Sequence, residues 1–276
     1  MGAEYRQSVR ARKPFHRSLL PQALKSCSHR VTCAVLIFQT GKTSMSDLSQ
    51  KDLDALGVYD TPTILNALEI VAPERRATGF TVRSMHCLRP EKAAIVGYAR
   101  TATIRSMAPH TGPNVKQIRT EYYNYVENGG PAPAISIIQD LDEIPGFGAF
   151  WGEVNTNIHK GLGCLGCVTN GSMRDLPDAA EGFQLLAGEV VPSHAHVNIT
   201  DFKKQVNVMG MIVSDGDIIH ADQHGACVVP HSVVKDVPGA AELLIRKEAV
   251  ILAACKEEGF GIERLKEAMG DSDDIH

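Results

Sequence analysis

A chain of 276 residues, 43% of them hydrophobic, can bury a full core as one domain or two small ones. The formal charge of −4 is uneven: residues 1–44 hold eight Lys/Arg and one acid, while the remainder holds 20 Lys/Arg against 31 acids. An acidic body argues against nucleic acid as the main partner, and the run Val31–Phe38, interrupted by Thr32 and Cys33, is too short to span a membrane.

The basic head is rich in Ser and Arg, which leaves two readings, a transit peptide or a disordered extension with the folded chain starting near Met45. Gly2 makes no myristoylation signal, because Arg6 stands where Ser or Thr is wanted. Gly41-Lys42-Thr43 lacks the upstream glycine of a phosphate loop, Leu36 holding its place. Seven cysteines, an odd number without a secretory signal, point to reduced thiols and a cytoplasmic setting.

From Ser46 the sequence predicts two short helices, capped by Ser46 and by Asp60 or Thr61, with Pro62 in the first turn of the second. Ala93–Ser106 is partly alternating and β-rich, as a half-buried strand requires. Val115, Ile118, Tyr122 and Val126 fall at helical spacing, and Gly129-Gly130 stops that helix. Pro133–Gln139 reads as a buried strand with Asp140 and Asp142 at its carboxyl end. A glycine-rich loop, GFGAFWG, leads into a helix over Glu153–Lys160, followed by a strand at Leu165–Thr169. A brief helix over Leu176–Glu181 precedes an all-β stretch at 184–230 containing VVPSHAHVN, QVNVMGMIV, DGDIIHAD and ACVVP. Val233–Gly259 is helical with a break at Pro238-Gly239, GIERLKEAMG adds a last amphipathic helix, and the tail DSDDIH frays.

Gly161-Leu-Gly-Cys-Leu-Gly166 matches GxGxxG, but the order is helix then strand, the reverse of what a dinucleotide needs, so these glycines read as a helix stop and a tight strand entry. Cys164 and Cys167 have no second pair and read as structural thiols. His220, Asp222 and His224 alternate along one strand face; the preferred reading is a turn shaped by Asp222 and Gly225 with both histidines at the surface. His194 and His196 could supply a base or ligands.

The segment 151–175 is the most informative. A helix starting at Glu153 turns the free amides of Val154 and Asn155 toward a bound carboxylate. The chain then descends the helix and returns along the next strand, so that a loop at Gly171–Asp175 re-emerges near Glu153. Arg174 offers a planar fork for a carboxylate, and Asp175 a hard oxygen for Mg²⁺ or Mn²⁺. On spacing alone, an Arg–Asp surface pair fits equally well.

Gly152-Glu153, twenty residues, Arg174-Asp175, then Gly216-Asp217…Ala221-Asp222…Gly225…Pro230 resembles the family of the ribonuclease regulator RraA and the 4-hydroxy-4-methyl-2-oxoglutarate/4-carboxy-4-hydroxy-2-oxoadipate aldolases, over about Thr61 to the helix after Pro230. The resemblance implies an α/β fold, a swivelling β/β/α-type αββα sandwich, as one domain over 46–276, and assembly as a homotrimer or homohexamer. It also implies a metal-dependent aldolase in which Arg174 and Gly152 hold the substrate, Asp175 binds Mg²⁺ or Mn²⁺, and Glu153 orients metal-bound water, with a further acid from a neighbouring subunit. Aldolase members usually carry Asp where this chain has Glu153, and one extra methylene is enough to displace a water. The expected activity is retro-aldol cleavage of a 4-hydroxy-2-oxo acid, with oxaloacetate decarboxylation beside it. The alternative is a non-enzymatic regulator that binds and inhibits an endoribonuclease.

Overall fold

The computed structural model describes residues 48–112 and 114–276; the expectations for the basic head and for Ser46 as a cap lie outside them. Helix α1 (Gln50–Leu56) is capped by Ser49, whose amide and hydroxyl both donate to the Asp52 carboxylate, at 2.8 and 2.7 Å. Helix α2 (Thr61–Val71) is capped by Asp60, which accepts from the Thr63 amide at 2.9 Å. Along the chain follow β1 (His86–Cys87), β2 (Ile95–Arg105), α3 (Val115–Asn128), β3 (Ala134–Asp140), β4 (Ala149–Trp151), α4 (Glu153–Gly161), β5 (Cys164–Met173) and β6 (Gln184–Val190). The carboxyl-terminal part adds β7 (Asn198–Phe202), β8 (Val206–Val208), β9 (Met211–Val213), β10 (Ile218–Asp222), β11 (Gly225–Val229), α5 (Val237–Ala254) and α6 (Ile262–Asp273).

Nine strands form one mixed sheet in the order β1-β6-β5-β3-β2-β10-β11, with β4 beside β5 and β7 beside β2. Its centre is parallel, β2 to β3 to β5 to β6, because α3, α4 and the segment with a short 3-10 turn at Leu176–Asp178 carry the chain back between successive strands. Antiparallel β10 and β11 extend it from β2. β8 and β9 form a separate hairpin.

Three apolar clusters bind these layers. Tyr122, Tyr125 and Val126 of α3 pack with Phe150, Trp151 and Phe183. Leu53, Ile64, Leu68, Val237 and Ala241 bring α1, α2 and α5 onto β10 and β11. The β8–β9 hairpin seals Ile135, Ile137, Val168 and Leu186. Each large side chain buried in this way stabilises the fold by about 1.5–3 kcal/mol of transfer free energy. Among the described residues, no helix is long and apolar enough to cross a membrane.

Several elements differ from the sequence reading. The glycine-rich loop holds strand β4: Gly148 lies so close to the 194–195 backbone that a Cβ would sit 2.7 Å from the His194 carbonyl, and the Ala149 amide bonds Ser193 O at 2.9 Å. β5 runs on to Met173, so Gly171–Met173 is strand rather than loop. VVPSHAHVN is a turn between strands from Val191 to Val197. Pro238-Gly239 does not break α5; it occupies the first turn, where the missing amide hydrogen costs nothing. The tail is helical to Asp273, with Ser272 buried and bonded to Lys247 O at 3.0 Å. His220 is fully buried, its ring nitrogens meeting Thr61 Oγ1 at 3.0 Å and Tyr59 O at 3.1 Å, because β10 lies inside the sheet.

Candidate active site

A cavity of about 410 Å³ opens beyond the carboxyl ends of β2, β4, β5 and β6, the position at which open α/β sheets present their ligand sites. Its floor is the corner where β4 enters α4. Gly152 caps α4 in an extended conformation, and a Cβ there would lie 2.5 Å from Asp175 Oδ2. A larger residue there would push the Asp175 carboxylate aside. The Arg174 amide bonds Trp151 O at 2.9 Å, holding the end of β5 level with the start of α4.

Asp175 adopts a left-handed conformation (φ 53°, ψ 43°) at the exit from β5. Aspartate tolerates that region better than most residues, and non-glycine residues held there cluster at functional sites. Its Oδ2 stands 3.4 Å from Arg174 Nε and 3.4 Å from the Glu153 amide. Arg174 Nη1 reaches Pro192 O at 3.5 Å. These contacts are long, and the side chains stay 36% and 37% exposed. An exposed pair of this kind contributes about 0–1 kcal/mol, so its stabilising value does not account for the geometry built around it.

Gly152, Val154, Asn155, Arg174 and Asp175 all line the cavity. The Asn155 side chain is occupied, accepting from Tyr123 Oη at 2.7 Å and donating to Phe150 O. Glu153 is exposed beside the cavity rather than among its lining residues, and it is its amide that approaches Asp175.

The far wall carries His110, Arg119, His194 and His196. The two later histidines were legible in the sequence; Arg119 and His110 carried no signal beyond their charge. The turn holding His194 and His196 is fixed by backbone hydrogen bonds. Ala195 lies at φ 45°, and the His196 and Val197 amides bond Ser106 O and His194 O, each at 3.0 Å. Beneath the corner, His159 is fully buried between Asn155 O at 2.7 Å and Tyr122 Oη at 2.9 Å. Burial holds its pKa down at about 4, so the ring is neutral at pH 7, with Nδ1 donating to the carbonyl.

The other motifs resolve into structure. Gly163 takes φ 82° after α4, and Gly166 lies too close to the Gln184 carbonyl for any side chain. Cys164 and Cys167 are buried thiols that burial pushes upward in pKa. Asp140 and Asp142 brace the 141–148 segment, Asp140 accepting from Gly146 and Asp142, and Asp142 from Ser106 and Met107.

A model of the RraA-like family, described as Aldolase/RraA, matches residues 61–228. The chain belongs to the RraA-like family. No curated protein matches it. Among solved structures, an uncharacterized protein from Pseudomonas syringae pv. tomato str. DC3000 superimposes with a TM-score of 0.62 at 19% identity, over 81% of this chain and 95% of that one. RraAS2 of Streptomyces coelicolor, an unusual member of the RNase ES inhibitor RraA protein family, gives 0.58 at 18%, over 73% and 96%. These likenesses show a shared fold, a mixed α/β domain with flanking helices.

A divalent cation can be tested against this donor set. Among the described residues no group of three His, Cys, Asp or Glu side chains could enclose a metal ion. Asp175 offers one accessible hard oxygen above the Gly152 cradle, which fits a cation such as Mg²⁺ that keeps most of its waters and completes its shell with substrate.

Proposed function

We propose that this RraA-like chain is a carbon–carbon lyase that cleaves a 4-hydroxy-2-oxo acid to pyruvate and a carbonyl compound, and that also decarboxylates oxaloacetate. The observation carrying this reading is the under-bonded Arg174–Asp175 pair, held against Gly152 at the start of α4 and open to the cavity. The finer architecture, a swivelling β/β/α-type αββα sandwich assembled as a trimer or hexamer in the cytoplasm, belongs to the same proposal.

Arg174 engages the carboxylate of the 2-oxo acid with its fork, and the amides of Val154 and Asn155 add the positive end of α4. Asp175 would hold Mg²⁺ or Mn²⁺, which when bound supplies Lewis-acid polarisation of the 2-oxo oxygen. Glu153, at the cavity edge, orients a water that takes the proton from the 4-hydroxyl. As the C3–C4 bond breaks, its electron pair moves toward the 2-oxo oxygen, where Arg174 stabilises the growing charge. A proton delivered to C3 completes pyruvate. Decarboxylation uses the same electron sink, with CO₂ leaving in place of the carbonyl product.

The competing reading is a regulator that binds an endoribonuclease, favoured by the fold shared with RraAS2. Incubation with oxaloacetate and with a 4-hydroxy-2-oxo acid, in Mg²⁺ or EDTA, followed by a pyruvate assay, separates the two. Metal-dependent release lost in Arg174→Ala supports the lyase; no release from either substrate removes it.

A further inference from the structure

A second cavity, of about 340 Å³, lies between α2 and the β10–β11 turn and shares no lining residue with the first. His224 on its polar wall is oriented by a buried acid behind it. Asp222 is 4% exposed, and its carboxylate accepts from the Thr61 and His224 amides, both at 2.8 Å, and from His224 Nδ1 at 3.2 Å. A carboxylate can only accept, so Nδ1 carries a hydrogen and the ring is fixed, and Nε2, once it too is protonated, can donate to a second carboxylate.

Opposite stands Arg75. Its guanidinium lies over Gly79, which at φ 84° has no side chain to collide with it. Nη2 makes a weak contact with Val228 O at 3.4 Å, while the buried Nε has no partner. Leaving such a group unsatisfied costs about 1–3 kcal/mol. Among the described residues no carboxylate pairs with Arg75. Its neighbour Arg76 is neutralised by Glu69 at 3.2 Å, so the charge remaining at this cavity is that of Arg75. Leu65 and Phe80 supply an apolar surface beside these groups.

We infer that this cavity is a second ligand site, taking a small organic acid with its carboxylate on Arg75 and His224 and its apolar body on Leu65 and Phe80. The planar fork of Arg75 matches a carboxylate. Arg75 disfavours a cation. The site does not rest on the lyase reading, because its residues are separate.

The test is ligand-observed ¹⁹F NMR on the full chain with 4-fluorobenzoate as the probe and 4-fluorobenzyl alcohol as its neutral counterpart. The acid is expected to broaden with the native protein and with Arg174→Ala. Binding weakens about tenfold or more in His224→Ala and in Arg75→Lys, and the alcohol binds less well than the acid. His224 is partly exposed, so its variant keeps the test decisive if Arg75→Lys folds poorly. Absence of broadening with the native protein overturns the inference, as does binding that survives His224→Ala, disappears in Arg174→Ala, or is equal for the alcohol.

Discussion

Two aspartates, Asp175 and Asp222, each stand at the end of a strand beside the first turn of a helix, and their surroundings differ in one respect. Asp222 is 4% exposed and accepts two backbone amides at 2.8 Å as well as the His224 ring. Burial works against its charge, yet these hydrogen bonds prevail and hold its pKa below the ordinary carboxylate range. Asp175 has contacts of 3.4 Å and keeps 37% of its side chain exposed. The same residue type therefore serves as a structural cap where the fold satisfies it, and stands ready for a ligand where the fold leaves it short of partners.

The sharpest way to break this comparison is to remove the open corner. Arg174→Ala and Asp175→Ala are each expected to lower metal-dependent pyruvate release by about a hundredfold or more, while unfolding free energy moves by less than about 1 kcal/mol. Parallel kinetics and urea titrations check the split. A large loss of stability would make the pair structural, like Asp222.

His159, directly below that corner, is expected to respond to acid. Its folded pKa of about 4 lies below the unfolded value of 6.5, so the unfolded chain binds the proton first as pH falls. The stability of the neutral ring is whole above about pH 6.5 and is lost toward pH 4, by about 3 kcal/mol across the window. Comparing the stability of the native chain and His159→Gln at several pH values tests this, because the variant lacks that slope.

At the closed corner, Asp222→Ala strips the acceptor from the amides of Thr61 and His224. A loss of about 2–3 kcal/mol is expected in chemical denaturation. A stability equal to the native chain's would erase the contrast with Asp175. The smallest effect tests the cradle: Gly152→Ala places a methyl 2.5 Å from Asp175 Oδ2, and a displacement approaching 1 Å lowers kcat/KM by about tenfold or more. Unchanged turnover would show that Asp175 need not sit where it does.

Much of this was readable in one dimension. The helices α2, α3 and α4 announced themselves through Asp60, the Val115–Val126 spacing and Glu153, since capping and amphipathic period are local properties. The resemblance carried by Gly152-Glu153 and Arg174-Asp175 agrees with the RraA-like family match. Strand β4 was hidden because its three residues pair with β5, more than a dozen positions away. Glu153, which the sequence places at the start of its helix near the Arg174-Asp175 segment, is not itself among the residues lining the cavity. Arg119 joined the wall only when α3 packed near the 191–197 turn.

By itself the sequence determined most of the helices, the buried strand centres and the short-range contacts at helix starts, because these depend on neighbours a few residues apart. Only the tertiary structure decided which acid is satisfied and which is left open. Asp222 acquires its partner Thr61 from 161 residues away, and Asp175 is met by Gly152 across the sheet. Solvation and hydrogen-bond supply at a side chain are set by what folds around it, and local sequence does not encode that supply.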